Sequence, residues 1–138
     1  MAEKHEPMKL LPLIGRILFS FIFILSGFGH LFGQGADYAA NAGIPMAPVL
    51  VPVGGLLAVL GGLSIALGYK PRIGAWLLVI FLLPVTFSMH AFWAQTDPMM
   101  KQMHMAMFMK NIALLGTALV IARLGTGPLS LDGRAVTA

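Results

Sequence analysis

The chain has 138 residues, of which 58% are hydrophobic and only 10% are charged. Soluble domains usually carry about 25% charged residues, so this composition excludes a protein that faces water on every side. The net charge is +4, but the basic residues are scattered along the chain and do not form a patch that would indicate nucleic-acid binding. The absence of cysteine excludes disulfides and thiolate chemistry.

Four apolar runs in the sequence are each long enough to cross a bilayer. A helix needs about 20 mainly apolar residues to span roughly 30 Å of hydrocarbon. We therefore predict an all-α, integral membrane four-helix bundle with spans at about 10–32, 49–69, 73–93 and 106–124. Tails of residues 1–9 and 125–138 flank this single domain. The first run is longer than the apolar region of a signal peptide and has no clear cleavage site, so we expect it to be retained.

Two local signals describe the later helices in more detail. Pro84 lies inside the third span and predicts a kink there. The fourth helix is expected to begin before its span, because Thr96 or Asp97 can cap it and Pro98 suits the first helical position. At 1.5 Å per residue that helix would be about 40 Å long, so its first turns would lie at or beyond the interface.

Basic residues predict how the bundle is oriented in the membrane. Those at one end are Lys4, Lys9, Arg16, Lys70, Arg72, Arg123 and Arg134, and those at the other end are Lys101 and Lys110. Basic residues concentrate on the cytoplasmic side of membrane proteins. We therefore expect both termini in the cytoplasm, with the loops at about 33–48 and 94–105 on the opposite side.

Small residues in the second span are predicted to pack helix against helix, because helices in lipid associate by close backbone approach. Gly54, Ala58, Gly61 and Gly68 fall on one helical face, and Gly62 belongs to a second line of small residues beside it. Such faces also suit association with a protein partner or with a second copy of the chain.

Polar residues at membrane depth form the candidate binding site. Ionisable side chains are costly inside a bilayer, so they indicate a functional site by default. The predicted topology brings these residues to the outer end of the bundle: His30, Thr86, His90, Trp93, Lys110 and Asn111. Trp93 follows His90 by three residues, so helical spacing predicts that the two share a face. The alternatives are structural, since such residues also occupy the interfacial belt, extend along the helix to reach the headgroups, or form a hydrogen-bond network.

Methionines form a second feature, because six of them lie between Met99 and Met109 with His104 among them. Thioether and imidazole groups bind copper. Met99 and Met103 share one helical stripe, while Met100 and His104 lie four residues apart beside it. The same residues are typical of flexible apolar packing, and no single face collects them all. A copper site and interfacial packing therefore both remain open.

Short motifs along the chain resemble the DoxX family of small four-helix bacterial membrane proteins. They are Ser26-Gly27, Gly43-Ile44-Pro45, Gly61-Gly62, Gly68, His90-Ala91-Phe92-Trp93, Lys110-Asn111 and Ser130-Leu131-Asp132, and the resemblance covers about residues 10–132. Many members carry a lysine at the position of His30 and a glutamate at that of Ala58, so the chain departs from the pattern there. The resemblance implies a place in the bacterial cytoplasmic (inner) membrane and a link to redox chemistry, since the name-giving members resemble subunits of a thiosulfate:quinone oxidoreductase.

The polar residues and the resemblance together lead to three hypotheses about function. In the first, the chain is a membrane subunit of a quinone-linked oxidoreductase, in which His90 exchanges a proton, Lys110 stabilises charge on the reduced oxygen and Trp93 stacks on the quinone headgroup. In the second, it is a non-enzymatic scaffold that docks a redox or stress-response partner in the lipid bilayer. In the third, His30, His90 and His104, with the methionines, bind haem or copper.

Overall fold

Six helices make up the part of the chain that the computed structural model describes, residues 6–135 for the backbone and 8–133 for side chains. They are α1 (Glu6–Leu31), α2 (Ala36–Asn41), α3 (Ala47–Leu67), α4 (Pro71–Met89), α5 (Pro98–Leu124) and α6 (Leu131–Ala135), with a 3₁₀ turn at Phe92–Ala94. Of the basic residues used to predict the orientation, Lys4 and the side chain of Arg134 lie outside the described residues. The orientation itself stays a prediction.

The long helices have the length and composition of membrane spans. In the described residues, four segments qualify: Met8–Leu31, Ala47–Leu67, Pro71–Ala94 and Pro98–Leu124. Their outward faces carry large apolar side chains that would be unfavourable in water, among them Leu18, Phe21 and Leu124. Such faces are expected where the surrounding solvent is lipid. The predicted all-α bundle of four spans is confirmed.

Local sequence signals fix the start of α5. The carboxylate of Asp97 accepts a hydrogen bond from the backbone N–H of Met100 at 2.8 Å, and Pro98 occupies the first turn of the helix. The prediction of this cap is confirmed. Because α5 starts here, it has 27 residues and is longer than its apolar span requires.

Helix α3 packs against two neighbours through glycines that allow close backbone approach. A Cβ atom at Gly55 would lie 2.7 Å from the carbonyl oxygen of Gly27 on α1. A Cβ atom at Gly61 would lie 2.8 Å from the carbonyl oxygen of Gly74 on α4. Real Cβ atoms do not approach so closely, so both contacts require glycine. Gly62 also faces α1, where it lies against the side chains of Phe23 and Ile24.

The other small residues of α3 divide between these neighbours and the helix end. Gly54 lies against the ring of Phe81 on α4, whereas the fully buried Ala58 lies beside Gly27 on α1. Gly68 ends α3 with a φ of 66°, in the left-handed region that favours glycine. The small residues that helical spacing placed on one face of α3 therefore contact two different helices, α1 and α4, and Gly68 forms the C-terminal cap.

The long helices follow one another in space as α1, α3, α4 and α5, and α2 lies against α3. A core of apolar side chains joins them, with Phe23, Ile65, Leu78 and Ala118 contributed by the four helices in turn. The backbones of α1 and α5 approach one another at few points. The seam between the first and last long helices is therefore the widest in the bundle.

A buried arginine ties α1 to the C-terminal segment. Arg16 is 5% exposed and donates through Nε to the carbonyl oxygen of Ala66 at 3.0 Å. Its two terminal nitrogens donate to the carbonyl oxygens of Pro128 and Leu129. Ala66 belongs to the last turn of α3, where the helix dipole favours a positive charge. Arg16 therefore holds three parts of the chain together at the end of the bundle opposite the histidines.

The turn between α3 and α4 is held by the same C-terminal segment. The backbone N–H of Asp132 donates to the carbonyl oxygen of Gly68 at 3.0 Å, and its carboxylate accepts from the backbone N–H of Lys70 at 3.0 Å. Ser130 packs so closely on Gly68 that a Cβ atom there would clash. The Ser130-Leu131-Asp132 motif therefore closes this end of the bundle.

Candidate functional site

A cavity of about 470 Å³ opens at the end of the bundle that carries His30, His90 and His104, which we call the histidine end. Its walls come from α2, α3, α4 and the end of α1, and most of its lining is aliphatic or aromatic. The side chains with polar groups in its wall are His30, Tyr38, Ser88 and His90. A volume of this size falls within the range of about 300–1,000 Å³ that is typical of small-molecule sites.

The chain reverses direction after α1 and so places α2 over this cavity. Gly33 and Gly35 adopt φ angles of 83° and 88°, which glycine reaches without steric cost. The Nδ1 atom of His30 lies 2.8 Å from the backbone oxygen of Gln34 and so joins the end of α1 to the turn. One turn into α2, Tyr38 reaches toward α5 above the cavity.

Tyr38, His104 and His90 form a connected polar group beside the cavity. The hydroxyl of Tyr38 lies within hydrogen-bonding distance of Nε2 of His104, at 3.2 Å. The ring of His104 lies next to that of His90, with 5.8 Å between the ring centroids. His104 is only 4% exposed, although it belongs to the first two turns of α5. The group therefore links α2, α5 and the end of α4.

Two imidazole nitrogens in this group lack hydrogen-bond partners within the described residues. They are the Nδ1 atoms of His90 and His104, and both are buried. A buried polar atom without a partner costs about 1–3 kcal/mol, so native proteins rarely leave one unsatisfied. Each of these two nitrogens can therefore accept a hydrogen bond from, or donate one to, a group outside the described residues.

The structure brings only part of the predicted site to the cavity. His30 and His90 belong to its wall. Thr86 and Asn111 are both buried, but they lie outside the cavity lining. Thr86 is one turn before His90 on α4, so it lies deeper in the bundle.

Trp93 and Lys110 are separated from the cavity. Trp93 is 56% exposed and packs edge-on against the rings of Phe92 and Phe108. Helical spacing predicted a shared face for His90 and Trp93, but α4 ends at Met89 and a 3₁₀ turn redirects the chain. The exposed Lys110 places its ammonium 3.5 Å from the sulfur of Met107 on its own helix.

The residues proposed as copper ligands differ in their exposure. His104 points into the bundle, whereas Met99 and Met103 are 79% and 47% exposed. Met100 is half-buried one turn before His104. In residues 6–135, no group of three or more His, Cys, Asp or Glu side chains could hold a metal ion. The copper site formed by these methionines and His104 stays a prediction.

Sequence reasoning did not find Tyr38 or the inward orientation of His104. Tyr38 lies in a short segment between two spans, where apolar periodicity gives no information. The two positive-φ glycines before it are a signal of a tight turn, but they do not say which side chain the turn delivers.

Four long apolar helices with this connectivity define a multi-pass helical membrane protein. The sequence matches the DoxX family over residues 11–91, which is more than half of the chain. It is 32% identical to the inner membrane protein YphA of Escherichia coli over 126 residues, which cover 90% of this chain and 89% of YphA. It is also 32% identical to the E. coli inner membrane protein YqjF over 124 residues, 87% of this chain and 88% of YqjF. No solved structure matches the chain.

The chain belongs to the DoxX family. Together with the inner-membrane relatives and the four apolar helices, this membership makes it a multi-pass protein of the bacterial inner membrane. The family prediction made from the short motifs is confirmed.

Proposed function

We propose that the chain binds a quinone in the cavity at the histidine end and serves as a membrane subunit of a quinone-linked oxidoreductase system. The observation that supports this most directly is an apolar cavity of about 470 Å³ with a histidine in its wall whose Nδ1 is buried and has no hydrogen-bond partner among the described residues. A quinone ring is flat and apolar, and its two carbonyl oxygens need hydrogen-bond donors.

The lining of the cavity fits these requirements. Leu57, Phe81 and Val85 provide apolar surface for a ring. His30 and His90 lie in the wall at the polar end, where an imidazole N–H can donate to a carbonyl oxygen. Few polar groups in a mostly apolar pocket are the usual means of orienting a small ligand.

The cavity also has a route for a long apolar tail. Leu50, Val53 and Ile80 line the cavity and are each about half exposed on the outer surface of α3 and α4. In a membrane that surface faces lipid tails. A ligand that carries an isoprenoid chain could therefore keep its ring in the cavity and its tail in the bilayer.

The residues of the chain would hold the ligand and supply protons to it. A bound quinone would supply redox chemistry that takes up protons together with electrons. An imidazole can both donate and accept a proton through its ring nitrogens, so His90 in the cavity wall is placed to exchange a proton with the ligand. Tyr38 also lines the cavity, and its hydroxyl is hydrogen-bonded to His104. Tyr38 and His104 are therefore a second pair of polar groups near the ligand. Electrons would come from a partner protein.

The direct test is to titrate the purified protein in detergent with a short-tailed ubiquinone and to measure binding by isothermal titration calorimetry. We expect saturable binding. We expect His90→Ala to weaken this binding by about tenfold, because the variant loses the imidazole that would hydrogen-bond the quinone carbonyl. Trp93→Phe is the matched control, because Trp93 lies outside the cavity, and it should leave the affinity unchanged. Equal affinity of wild type and His90→Ala would overturn the site, and a chain that binds no quinone but purifies with a protein partner would favour the scaffold function.

A further inference from the structure

A second cavity, of about 430 Å³, lies at the end of the bundle opposite the histidine end. Helices α1 and α5 form its sides, and the glycine-rich segment 125–127 borders it. Pro12, Phe19, Ile121 and Leu124 give it apolar walls. Because α1 and α5 approach one another at few points, this cleft lies along the widest seam of the bundle.

The cleft contains a buried positive charge whose hydrogen bonds are incomplete. Arg16 lines it, and a guanidinium has five N–H donors. Among the described residues its three hydrogen bonds go to the neutral carbonyl groups of Ala66, Pro128 and Leu129, so two of the five N–H donors have no partner there. Within the described residues no carboxylate pairs with Arg16. A buried cation in this state favours an anion with several acceptor oxygens.

A hydroxyl group in the same cleft also lacks a partner. Thr126 lines the cleft and is 9% exposed, and its Oγ1 atom is buried with no hydrogen-bond partner in the described residues. Arg16 and Thr126 together provide a charged donor and a neutral donor at one end of an apolar cleft. A phosphate group accepts hydrogen bonds from both kinds of donor.

We propose that this cleft binds an anionic phospholipid, with the headgroup phosphate on Arg16 and Thr126 and an acyl chain along the seam between α1 and α5. Three exposed basic side chains, Lys70, Arg72 and Arg123, lie at the same end of the bundle. Clusters of basic residues at a membrane surface attract anionic lipids. The apolar walls and the open seam fit a lipid better than a free anion. This proposal does not depend on the quinone site.

The test uses native mass spectrometry of the full chain in detergent, with phosphatidylglycerol, phosphatidylcholine or inorganic phosphate added in parallel. We expect a one-to-one adduct with phosphatidylglycerol, weaker binding of the zwitterionic phosphatidylcholine and no adduct with phosphate alone. Thr126→Val keeps the size of the side chain and removes the hydroxyl, so it should weaken the adduct by about fivefold.

A second variant blocks the cleft without touching the polar groups. Gly15 lines the cleft, and a Cβ atom there would meet no other atom within 4 Å. The Cβ atom of Gly15→Leu therefore causes no clash, and its side chain is expected to fill the cleft. It should abolish the adduct, whereas the matched Gly116→Leu on α5, which is equally unobstructed and lies outside the cleft lining, should retain it. Undiminished phosphatidylglycerol binding in Gly15→Leu, equal binding of phosphatidylcholine, or an adduct with phosphate alone would overturn the proposal. If Gly15→Leu does not fold, Thr126→Val decides: unchanged binding overturns the proposal and a clear loss supports it.

Discussion

His90 at the end of α4 and His104 on α5 hold their rings 5.8 Å apart between centroids, and in the part of the chain that the structure describes the buried Nδ1 atom of each has no hydrogen-bond partner. The two helices that carry them are consecutive in the chain and pack side by side. The segment 90–97, which includes the turn at Phe92–Ala94, separates them, so the pairing depends on where α4 stops and α5 starts.

Filling the cavity should remove quinone binding while the fold is kept. Leu57 lines the cavity, so Leu57→Trp places a large side chain in its apolar part. The neighbouring Leu56 is exposed on the outer surface of the same helix, and Leu56→Trp is therefore the matched control. Calorimetric titration with a short-tailed ubiquinone should show about a tenfold or greater loss of affinity for Leu57→Trp alone. A similar loss in both variants would point to the helix as a whole and not to the cavity.

Removing the hydroxyl of Tyr38 should affect His104 in a way that spectroscopy can detect. Tyr38→Phe leaves the Nε2 atom of His104 without its partner at 3.2 Å, and we expect a loss of about 0.5–1.5 kcal/mol in stability. The imidazole ¹⁵N chemical shifts of His104 should change, since the hydroxyl no longer selects one tautomer. Tyr69→Phe, at the other end of the bundle, is the control. Shifts of His104 that are the same in wild type and Tyr38→Phe would contradict the hydrogen bond.

Replacing Arg16 by an apolar residue should destabilise the bundle. Arg16→Met removes three hydrogen bonds that join α1 to the end of α3 and to the segment at Pro128 and Leu129, and it should lower the free energy of unfolding by about 2–4 kcal/mol. Unfolding in mixed micelles with increasing SDS measures this change. Arg72 is exposed, so Arg72→Met should stay within about 0.5 kcal/mol of wild type. Comparable losses in the two variants would mean that Arg16 contributes only as a surface charge.

Adding one methyl group between α3 and α4 should also be unfavourable. The Cβ atom of Gly61→Ala would lie 2.8 Å from the carbonyl oxygen of Gly74 and 2.7 Å from a methyl group of Leu78, so the helices must move apart. We expect a destabilisation of about 1–3 kcal/mol in the same SDS assay. At Gly116 the added methyl meets no atom within 4 Å, and Gly116→Ala should be neutral or stabilise α5 by up to about 1 kcal/mol. An unchanged free energy of unfolding for Gly61→Ala would show that α3 and α4 are not packed as closely as these distances require.

The features that were predictable from the sequence are those that depend on local chemistry. The four spans follow from apolar length, and the start of α5 follows from Asp97 and Pro98, whose effects lie within one turn. Arg16 could not be understood in this way, because its acceptors lie 50 to 113 residues away in the sequence. Their backbone carbonyls carry no residue-type signal.

The candidate site was predictable where its residues lie at the ends of long helices, as His30 and His90 do, and not where they lie in the connections between helices. Helical spacing grouped Trp93 with His90, and this failed because the hydrogen-bonded ladder of α4 ends at Met89 before Trp93 is reached. Tyr38 was missed because a six-residue helix gives too few turns for a periodic pattern. Short connections between spans thus decide which side chains border the cavity.

The most direct measurement of the central proposal is photo-crosslinking with a quinone analogue that carries a photoactivatable group on its ring, followed by peptide mapping of the labelled chain. Binding of the ring in the cavity predicts that the label lies on cavity residues of α2, α3 and α4, such as Tyr38, Leu57 and Val85, and that excess unlabelled quinone suppresses it. Label spread over the lipid-facing surface of α5, or label that competitor does not reduce, would contradict the proposal.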